Sequence, residues 1–162
     1  LRKKLMVIDL GGGTFDVTIM EVFDRMLEII ASAGESMLGG EDFTDRMAAK
    51  VLMKYGLQLE MVEHKHPLQL SRLKQKCEEA KLKFLTAESA EIALPSQTED
   101  VDPKAPPVTI QRDEFEKWME PLLARLMRPI ERAIGDASLD VKQIDDILLV
   151  GGATRKIGRA HV

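Results

Sequence analysis

The sequence is poor in the residues on which several classes of protein depend. It has one cysteine, Cys77, in 162 residues, so no internal disulfide can form and no thiolate metal site is indicated. Its longest apolar runs, such as Leu5 to Ile8, are far shorter than the about 20 residues that span a bilayer. A basic start before this run is similar to a signal peptide, but Asp9 interrupts it too early. We therefore expect no membrane partner and a soluble, cytoplasmic protein.

Clustered positive charge is also missing. The net charge is -4, the pI is near 5.5, and the longest basic run is Arg2-Lys3-Lys4, so we expect no nucleic-acid partner. His64 and His66 flank Lys65 without a cysteine or carboxylate at ligand spacing, so no metal site is predicted there. Hydrophobic residues at 44% and charged residues at 31% are ordinary for one sizeable globular domain or two small ones.

Hydrophobic periodicity predicts an α/β fold of mixed α+β character. The spacing predicts strands at 5–10, 14–22 and 26–33 that form an antiparallel meander, helices over 41–55 and after Pro67, and a long helix over 113–136. We expect Pro121 and Pro129 to divide or kink that helix. Short strands are predicted at 91–94, 108–110 and 147–150, the last of them buried. The predicted domains are a core of 1–40 and 111–155, with 41–110 inserted as a mainly helical subdomain.

The most informative string runs from Val7 to Asp16. Gly11-Gly12-Gly13 between two strands allows positive φ and can bring successive N–H groups towards one point, a concavity that binds phosphate. Asp9 lies before the glycines and Asp16 beyond them. A carboxylate next to a phosphate-binding loop is favourable if Mg²⁺ lies between the carboxylate and the phosphate. A bare triple glycine is equally typical of a hairpin turn with solvated aspartates, and that alternative stays open. No lysine follows the glycines and a strand comes next, which excludes a Walker loop and a dinucleotide fingerprint.

This string resembles the second phosphate loop of DnaK-type heat-shock chaperones, in the superfamily of actin and the sugar kinases. The resemblance continues in the same order through Gly34, Leu38 to Phe43, Cys77 to Lys81, and Leu148 to Arg155, and it spans positions 5 to 155. It implies the second lobe only of a ribonuclease H-like, actin-like ATPase domain, which binds ATP or ADP with Mg²⁺.

The resemblance assigns catalytic roles to Asp9, Thr14 and Asp16. Asp9 is also the predicted metal-site residue, where it would hold Mg²⁺-bound water. The backbone around Gly12, Gly13 and Thr14 would hold the β- and γ-phosphates. The complete set of nucleotide-binding residues that it implies is Gly11, Gly12, Gly13, Thr14, Gly40, Glu78, Lys81, Leu82, Leu85, Gly151, Gly152, Ala153, Thr154 and Arg155.

On the adenosine side, Glu78, Lys81 and Leu85 share a helix face distinct from the apolar stripe of Leu70 to Phe84. By resemblance Glu78 and Lys81 hydrogen-bond the ribose and adenine region. An ordinary i,i+3 ion pair on a solvated face is the alternative. Arg155 would stack on the base, and a surface arginine is the alternative there.

Two departures from the family pattern bear on these assignments. Leucines stand at 82 and 85, where many members have arginine and serine, so base contacts here would be more apolar. After Arg155 the family usually continues with an apolar residue and proline, whereas this chain has Lys156-Ile157-Gly158. We expect 156–162 to be a non-native tail that a sequencing-adapter sequence could encode.

The resemblance implies ATP hydrolysis that controls a separate peptide-binding domain. The first phosphate loop and the catalytic lysine belong to the other lobe, and no segment here matches them, so we expect weak ATP binding and negligible turnover from this chain. Expected partners are the missing first lobe, the peptide-binding domain, a J-domain co-chaperone, and an exchange factor at Glu41 to Ile110. A sugar-kinase-type lobe and a non-catalytic nucleotide-gated interaction module are the alternatives. The blocks Leu38 to Phe43 and Cys77 to Lys81 argue against the kinase.

Overall fold

The computed structural model describes residues 2–96, 98 and 102–152, which form two compact units. The first unit is Leu1–Asp42 with Pro121–Val162, and the second is Phe43–Glu120. The elements in chain order are β1 (Lys3–Leu10), β2 (Phe15–Phe23), β3 (Met26–Glu35), α1 (Gly40–Lys54), α2 (Leu59–Lys65), α3 (Pro67–Lys83), β4 (Ser89–Ile92), β5 (Val108–Gln111), α4 (Arg112–Asp136), a 3-10 turn (Val141–Gln143) and β6 (Asp146–Val150).

The first unit contains a four-stranded sheet in the order β3-β2-β1-β6. β1, β2 and β3 pair antiparallel in succession, which confirms the predicted meander. Alternation in β2 buries Phe15, Val17 and Ile19 on one face of the sheet. β6 pairs parallel to β1, with Asp9 opposite Val150. The carboxyl ends of these two strands therefore meet at one edge of the sheet.

Both outer strands of this sheet expose apolar side chains. In β6 all five residues are exposed, with Ile147 60% and Leu148 50% accessible. In β3, Leu27 and Ile29 are 60% and 63% accessible. The prediction that β6 is a buried strand is therefore wrong. An apolar run of four residues fits a strand covered on both faces, but β6 lies at the edge of the sheet among the described strands, where burial depends on neighbours that the run itself does not specify.

The second unit is built around the apolar faces of α1 and α3. The predicted stripe on α3 is confirmed, because its members are all buried: Leu70, Leu73, Cys77, Ala80 and Phe84. Met47 and Val51 of α1 are fully buried as well. The ring of Phe84 stacks on Phe115 at 4.8 Å between centroids. Contacts of this kind place the first residues of α4 in the second unit, which extends to Glu120, beyond the predicted insert boundary at Ile110.

β4 and β5 form a separate antiparallel pair in the second unit, as predicted for the two short strands. Side chains from the helices hold the segment that joins them. The Tyr55 hydroxyl donates to the Pro106 carbonyl at 2.8 Å, and the Gln69 amide donates to the Pro95 carbonyl at 2.7 Å. The short helix α2 was not predicted, because seven residues with one buried apolar position, Val62, show too little periodicity.

The helix α4 runs without interruption from Arg112 to Asp136, so Pro121 and Pro129 do not divide it, and the alternative of a kink stays a prediction. Each proline removes one backbone donor. In the first unit, α4 buries Leu122, Leu126 and Ala133 at helical spacing, and burial of this apolar stripe outweighs the lost hydrogen bonds. Among the helices of the described residues, none combines the length and the apolar character needed to cross a membrane.

The packing of the second unit yields a stability prediction. Leu73 is fully buried, so Leu73→Ala should lower the free energy of unfolding by about 2–5 kcal/mol through lost burial and a residual cavity. Urea unfolding followed by the fluorescence of Trp118, the chain's single tryptophan, reports on this unit. Leu68, on the same helix but 52% exposed, gives the matched control Leu68→Ala, which should change stability by less than about 0.5 kcal/mol. Equal effects of the two substitutions would contradict the packing.

Candidate functional site

Two carboxylates face each other across β1 and β2. The strand register pairs Asp9 directly with Asp16, and side chains of directly paired residues project from the same face of a sheet. Both aspartates are exposed. Like charges in this arrangement destabilise a strand pair unless a cation lies between or beside them. The pair is therefore chemically suited to a hard divalent cation such as Mg²⁺, which prefers carboxylate oxygen and water.

Gly34 makes room for Asp16. On its other side Asp16 pairs with Gly34 of β3, and a Cβ at Gly34 would overlap the Asp16 carboxylate oxygen. The same Cβ would lie 2.9 Å from the Phe15 carbonyl oxygen, which is backbone and cannot move aside cheaply. A side chain at residue 34 would therefore displace Asp16.

Gly151 plays the corresponding role beside Asp9. It follows β6 with φ of +93°, a conformation that favours glycine. A Cβ there would overlap the Leu10 carbonyl and lie 2.7 Å from Oδ1 of Asp9. Asp9 and Gly151 are 142 positions apart in the sequence. The structure brings them together because β1 and β6 pair in parallel. Gly152 is exposed. The predicted residues Ala153, Thr154 and Arg155, and the tail at 156–162, lie outside the described residues.

The glycine loop turns its carbonyl groups towards the start of α1. The N–H of Gly40 donates to the Gly11 carbonyl at 2.8 Å, and the N–H of Glu41 donates to the Gly12 carbonyl at 2.9 Å. In a trans peptide the N–H points opposite to the C=O, so the N–H groups of Gly12 and Gly13 project away from the helix. No described residue accepts a hydrogen bond from either group. Two adjacent backbone donors are thus available for an anion.

The helix start that receives these carbonyls is itself fixed. The Asp42 carboxylate accepts a hydrogen bond from the Gly39 N–H at 2.7 Å, and the Asp42 N–H donates back to the Gly39 carbonyl at 3.1 Å. This reciprocal arrangement caps α1. Because the N–H of Gly40 is bound to the loop, Gly40 supports the loop's shape, and its predicted contact with nucleotide stays a prediction.

The expectation that the loop glycines use positive φ is wrong. Among the described glycines, only Gly56 and Gly151 have positive φ. The loop instead exploits the absence of side chains, since a Cβ at Gly39 would overlap the Gly12 carbonyl. A Cβ at Gly13 would meet nothing within 4 Å, so this residue borders open space. Thr14 closes the turn by accepting a hydrogen bond from the Gly11 N–H at 2.9 Å through its carbonyl, and its side chain is exposed.

In the second unit, Lys81 is buried, with 3% of its surface accessible. Its ammonium donates to Oγ1 of Thr44 at 2.6 Å and lies 2.7 Å from Oε2 of Glu78. Burial lowers the pKa of Lys81 from 10.5 to about 8, while Cys77 and Asp45 act in the opposite direction. Lys81 therefore turns inward from α3, and its predicted contact with nucleotide stays a prediction. It turns inward because α1 offers it a hydroxyl partner that helical spacing on α3 alone could not indicate.

The other predicted residues of α3 lie nearer the surface. Glu78 and Leu85 are half-buried, and Leu82 is 46% exposed. The neighbouring Cys77 is fully buried, and burial raises its pKa to about 12, so its thiol stays protonated at neutral pH.

Sequence reasoning missed Thr44 of α1. Its one signal was a polar residue at helical spacing with the buried Ala48 and Val51.

Comparison with known proteins establishes the family of the chain. The family model described as Hsp70 protein matches residues 2–157. The chain belongs to the Hsp70 family. Its relatives include chaperone protein dnaK3 of Synechocystis sp., 41% identical over 155 residues, and chaperone protein DnaK 1 of Synechococcus sp., 42% identical over 157 residues. The stromal 70 kDa heat shock-related protein of the Pisum sativum chloroplast is 38% identical over 157 residues.

These alignments cover 94–95% of this Hsp70 chain but only 20–22% of each relative, so the chain spans about a fifth of their length. The findings support a fragment of a DnaK-type Hsp70 ATPase domain with an actin-like α/β fold, which confirms the resemblance seen in the sequence. One relative is chloroplastic, and the cytoplasmic location of this Hsp70 chain stays a prediction. The roles of individual site residues also remain predictions.

The contact between Gly34 and Asp16 can be tested by adding a methyl group. Gly34→Ala should lower the free energy of unfolding of the first unit by about 1–3 kcal/mol, because the Cβ overlaps Asp16 and the Phe15 carbonyl. Circular dichroism in urea, with amide exchange of β2, measures the change. The matched control is Gly135→Ala in α4, where a Cβ meets nothing within 4 Å and should raise stability by about 0.5–1 kcal/mol. A neutral Gly34→Ala would contradict this geometry.

Burial of Lys81 predicts a pH dependence of stability. Between pH 8 and 10.5 the unfolded chain binds more protons than the folded one, so the free energy of unfolding rises with pH in that interval. From about pH 8 upward the raised pKa of Cys77 acts in the opposite direction and offsets part of this rise, because the unfolded thiol begins to lose its proton while the folded thiol keeps it. From pH 8 to 9 the lysine should therefore add about 1 kcal/mol.

Urea unfolding monitored by Trp118 at both pH values provides the measurement. Lys81→Met should abolish the rise, because methionine has no proton to lose. A rise of the same size in that variant would assign the effect to another group.

Proposed function

We propose that this chain is an ATP-binding lobe of a DnaK-type chaperone and that its first unit holds the Mg²⁺-bound phosphates. The observation that carries the proposal is the opposed Asp9–Asp16 pair beside two backbone N–H groups that have no acceptor among the described residues. Carboxylates alone would repel a polyphosphate, and free N–H groups alone would bind any anion. Side by side they suit an anion that arrives with a divalent cation.

The proposed roles follow from the position of each group. Asp9 would hold Mg²⁺ through bound water, and Asp16 would support the surrounding water shell. The N–H groups of Gly12 and Gly13 would donate to the β- and γ-phosphates, with the exposed hydroxyl of Thr14 as a further donor. Bound Mg²⁺ would neutralise phosphate charge, which is the main requirement of phosphoryl transfer. The residues of this chain would supply orientation and fixed dipoles.

In the second unit we propose that Glu78 and Lys81 hydrogen-bond the ribose and adenine. Their side chains are 2.7 Å apart and offer an acceptor and a donor at fixed positions. Leu82 and Leu85 would make the base contacts apolar. In the first unit, Gly151 and Gly152 are proposed as backbone that lies against adenosine, and Ala153, Thr154 and Arg155 are proposed as further nucleotide-binding residues.

The activity of the whole protein is proposed from family membership. ATP hydrolysis would control a peptide-binding domain, with a first ATPase lobe, a J-domain co-chaperone and an exchange factor as partners. By itself this chain would bind nucleotide weakly, because a productive site usually encloses about 70–90% of a ligand. It would show negligible turnover, since the catalytic lysine of the family has no counterpart in this sequence.

Calorimetric titration of the chain with ADP, with and without Mg²⁺, tests the proposal. Asp9→Asn should remove the gain in affinity that Mg²⁺ provides. Gly13→Ala should leave thermal stability unchanged, because the methyl group enters open space, but should weaken ADP binding about tenfold by obstructing the phosphates. The control Asp24→Asn, at an exposed hairpin turn, should bind as the wild type does.

Two outcomes would contradict the proposal. Equal Mg²⁺-dependent affinity in the wild type, Asp9→Asn and Gly13→Ala would exclude this loop as the phosphate site. Steady ATP hydrolysis by the chain, abolished by Asp9→Asn, would overturn the expectation of an inactive fragment. Nucleotide binding without hydrolysis in the full-length protein would favour a nucleotide-gated interaction module instead.

A further inference from the structure

Three polar groups form a closed ring inside the second unit. Lys81 Nζ lies 2.6 Å from Thr44 Oγ1, Thr44 Oγ1 lies 2.7 Å from Glu78 Oε2, and Glu78 Oε2 lies 2.7 Å from Lys81 Nζ. Thr44 belongs to α1, whereas the other two belong to α3. Thr44 and Lys81 are both buried, with 8% and 3% of their surfaces accessible. The ring therefore joins two helices, and two of its three groups are withdrawn from water.

The chemistry of the three groups fixes the direction of each hydrogen bond. A hydroxyl has one proton and can accept further bonds, an ionised carboxylate only accepts, and an ammonium only donates. Thr44 must therefore donate to Glu78 and accept from Lys81. Lys81 donates to both partners. Thr44 is the one member of the ring that can both donate and accept.

We propose that Thr44 is a positioning residue that holds the Glu78 carboxylate and the Lys81 ammonium in fixed orientations for binding adenosine. This inference rests on the proposed function, in which Glu78 and Lys81 contact the nucleoside. A lone i,i+3 ion pair holds two long side chains poorly, because both lose conformational freedom for a weak attraction. The hydroxyl from α1 supplies a third fixed point, so less freedom remains to be lost when a ligand binds.

A purely structural role for Thr44 would satisfy the buried ammonium without affecting ligand binding. The two roles differ in what they predict for nucleotide affinity and share a prediction for the acidity of Lys81. Besides Glu78, the ionisable groups that act on Lys81 include Cys77, one turn earlier on α3, and Asp45 of α1. The Asp45 carboxylate is itself paired with Lys74 at 2.8 Å. These groups are unchanged by a substitution at Thr44.

The test compares Thr44→Val, which keeps the shape without the hydroxyl, with Thr44→Ser, which keeps the hydroxyl. The side-chain NMR signal of Lys81, assigned by its loss in Lys81→Met, gives the Lys81 pKa in each variant. Without its hydroxyl acceptor the ammonium is less stable, so in Thr44→Val the pKa should fall by about half a unit or more. Thr44→Ser should retain the wild-type value. Thermal unfolding confirms that both variants are folded.

Calorimetric titration then separates positioning from structure. In Thr44→Val the affinity for Mg²⁺-ADP should fall about threefold to tenfold, and Thr44→Ser should restore it. Affinity for Mg²⁺-tripolyphosphate, which lacks the nucleoside, should be equal in all three proteins. Unchanged ADP affinity in Thr44→Val, or Thr44→Ser as weak as Thr44→Val, would overturn this inference alone. Absence of ADP binding by the wild type, with the Lys81 pKa still shifted in Thr44→Val, would overturn the proposed function and this inference with it.

Discussion

The candidate phosphate site depends on the register that places Asp9 opposite Asp16. Two like charges on neighbouring strands are unfavourable, and a slip by one residue would separate them. It would also turn Phe15 and Val17, now buried, to the other face of the sheet. Burial of the apolar face therefore holds the register, and the register holds the carboxylates together. The repulsion between them is the physical reason to expect a cation at this edge.

The rest of the first unit's site consists of backbone that approaches closely because side chains are absent. Gly34 leaves space for Asp16, and Gly151 leaves space for Asp9. The capped start of α1 holds the carbonyl groups of the glycine loop and so directs the N–H groups of Gly12 and Gly13 outward. Charge, space and backbone donors come from four separate segments of the chain. Each segment constrains the next, so a side chain at Gly34, Gly39 or Gly151 would overlap its neighbours.

A buried lysine is the second constraint, within the second unit. An ammonium withdrawn from water is unfavourable unless other groups accept its hydrogen bonds, and here Thr44 and Glu78 do so. An apolar residue of similar size would fill the same space without this difficulty. This arrangement is the one that the proposed positioning of Glu78 and Lys81 by Thr44 requires.

The sequence by itself determined most of the elements and the family. Alternation predicted the β1–β3 meander, helical spacing predicted the stripe from Leu70 to Phe84, and ordered motifs predicted the family. These features depend on near neighbours in the chain. Only the tertiary structure decided that Lys81 turns inward to Thr44, 37 positions away, and that Gly34 accommodates Asp16. It also decided that β6 is exposed and that α4 continues through its prolines. Each of these is set by packing between distant segments, where burial and steric fit outweigh local preference.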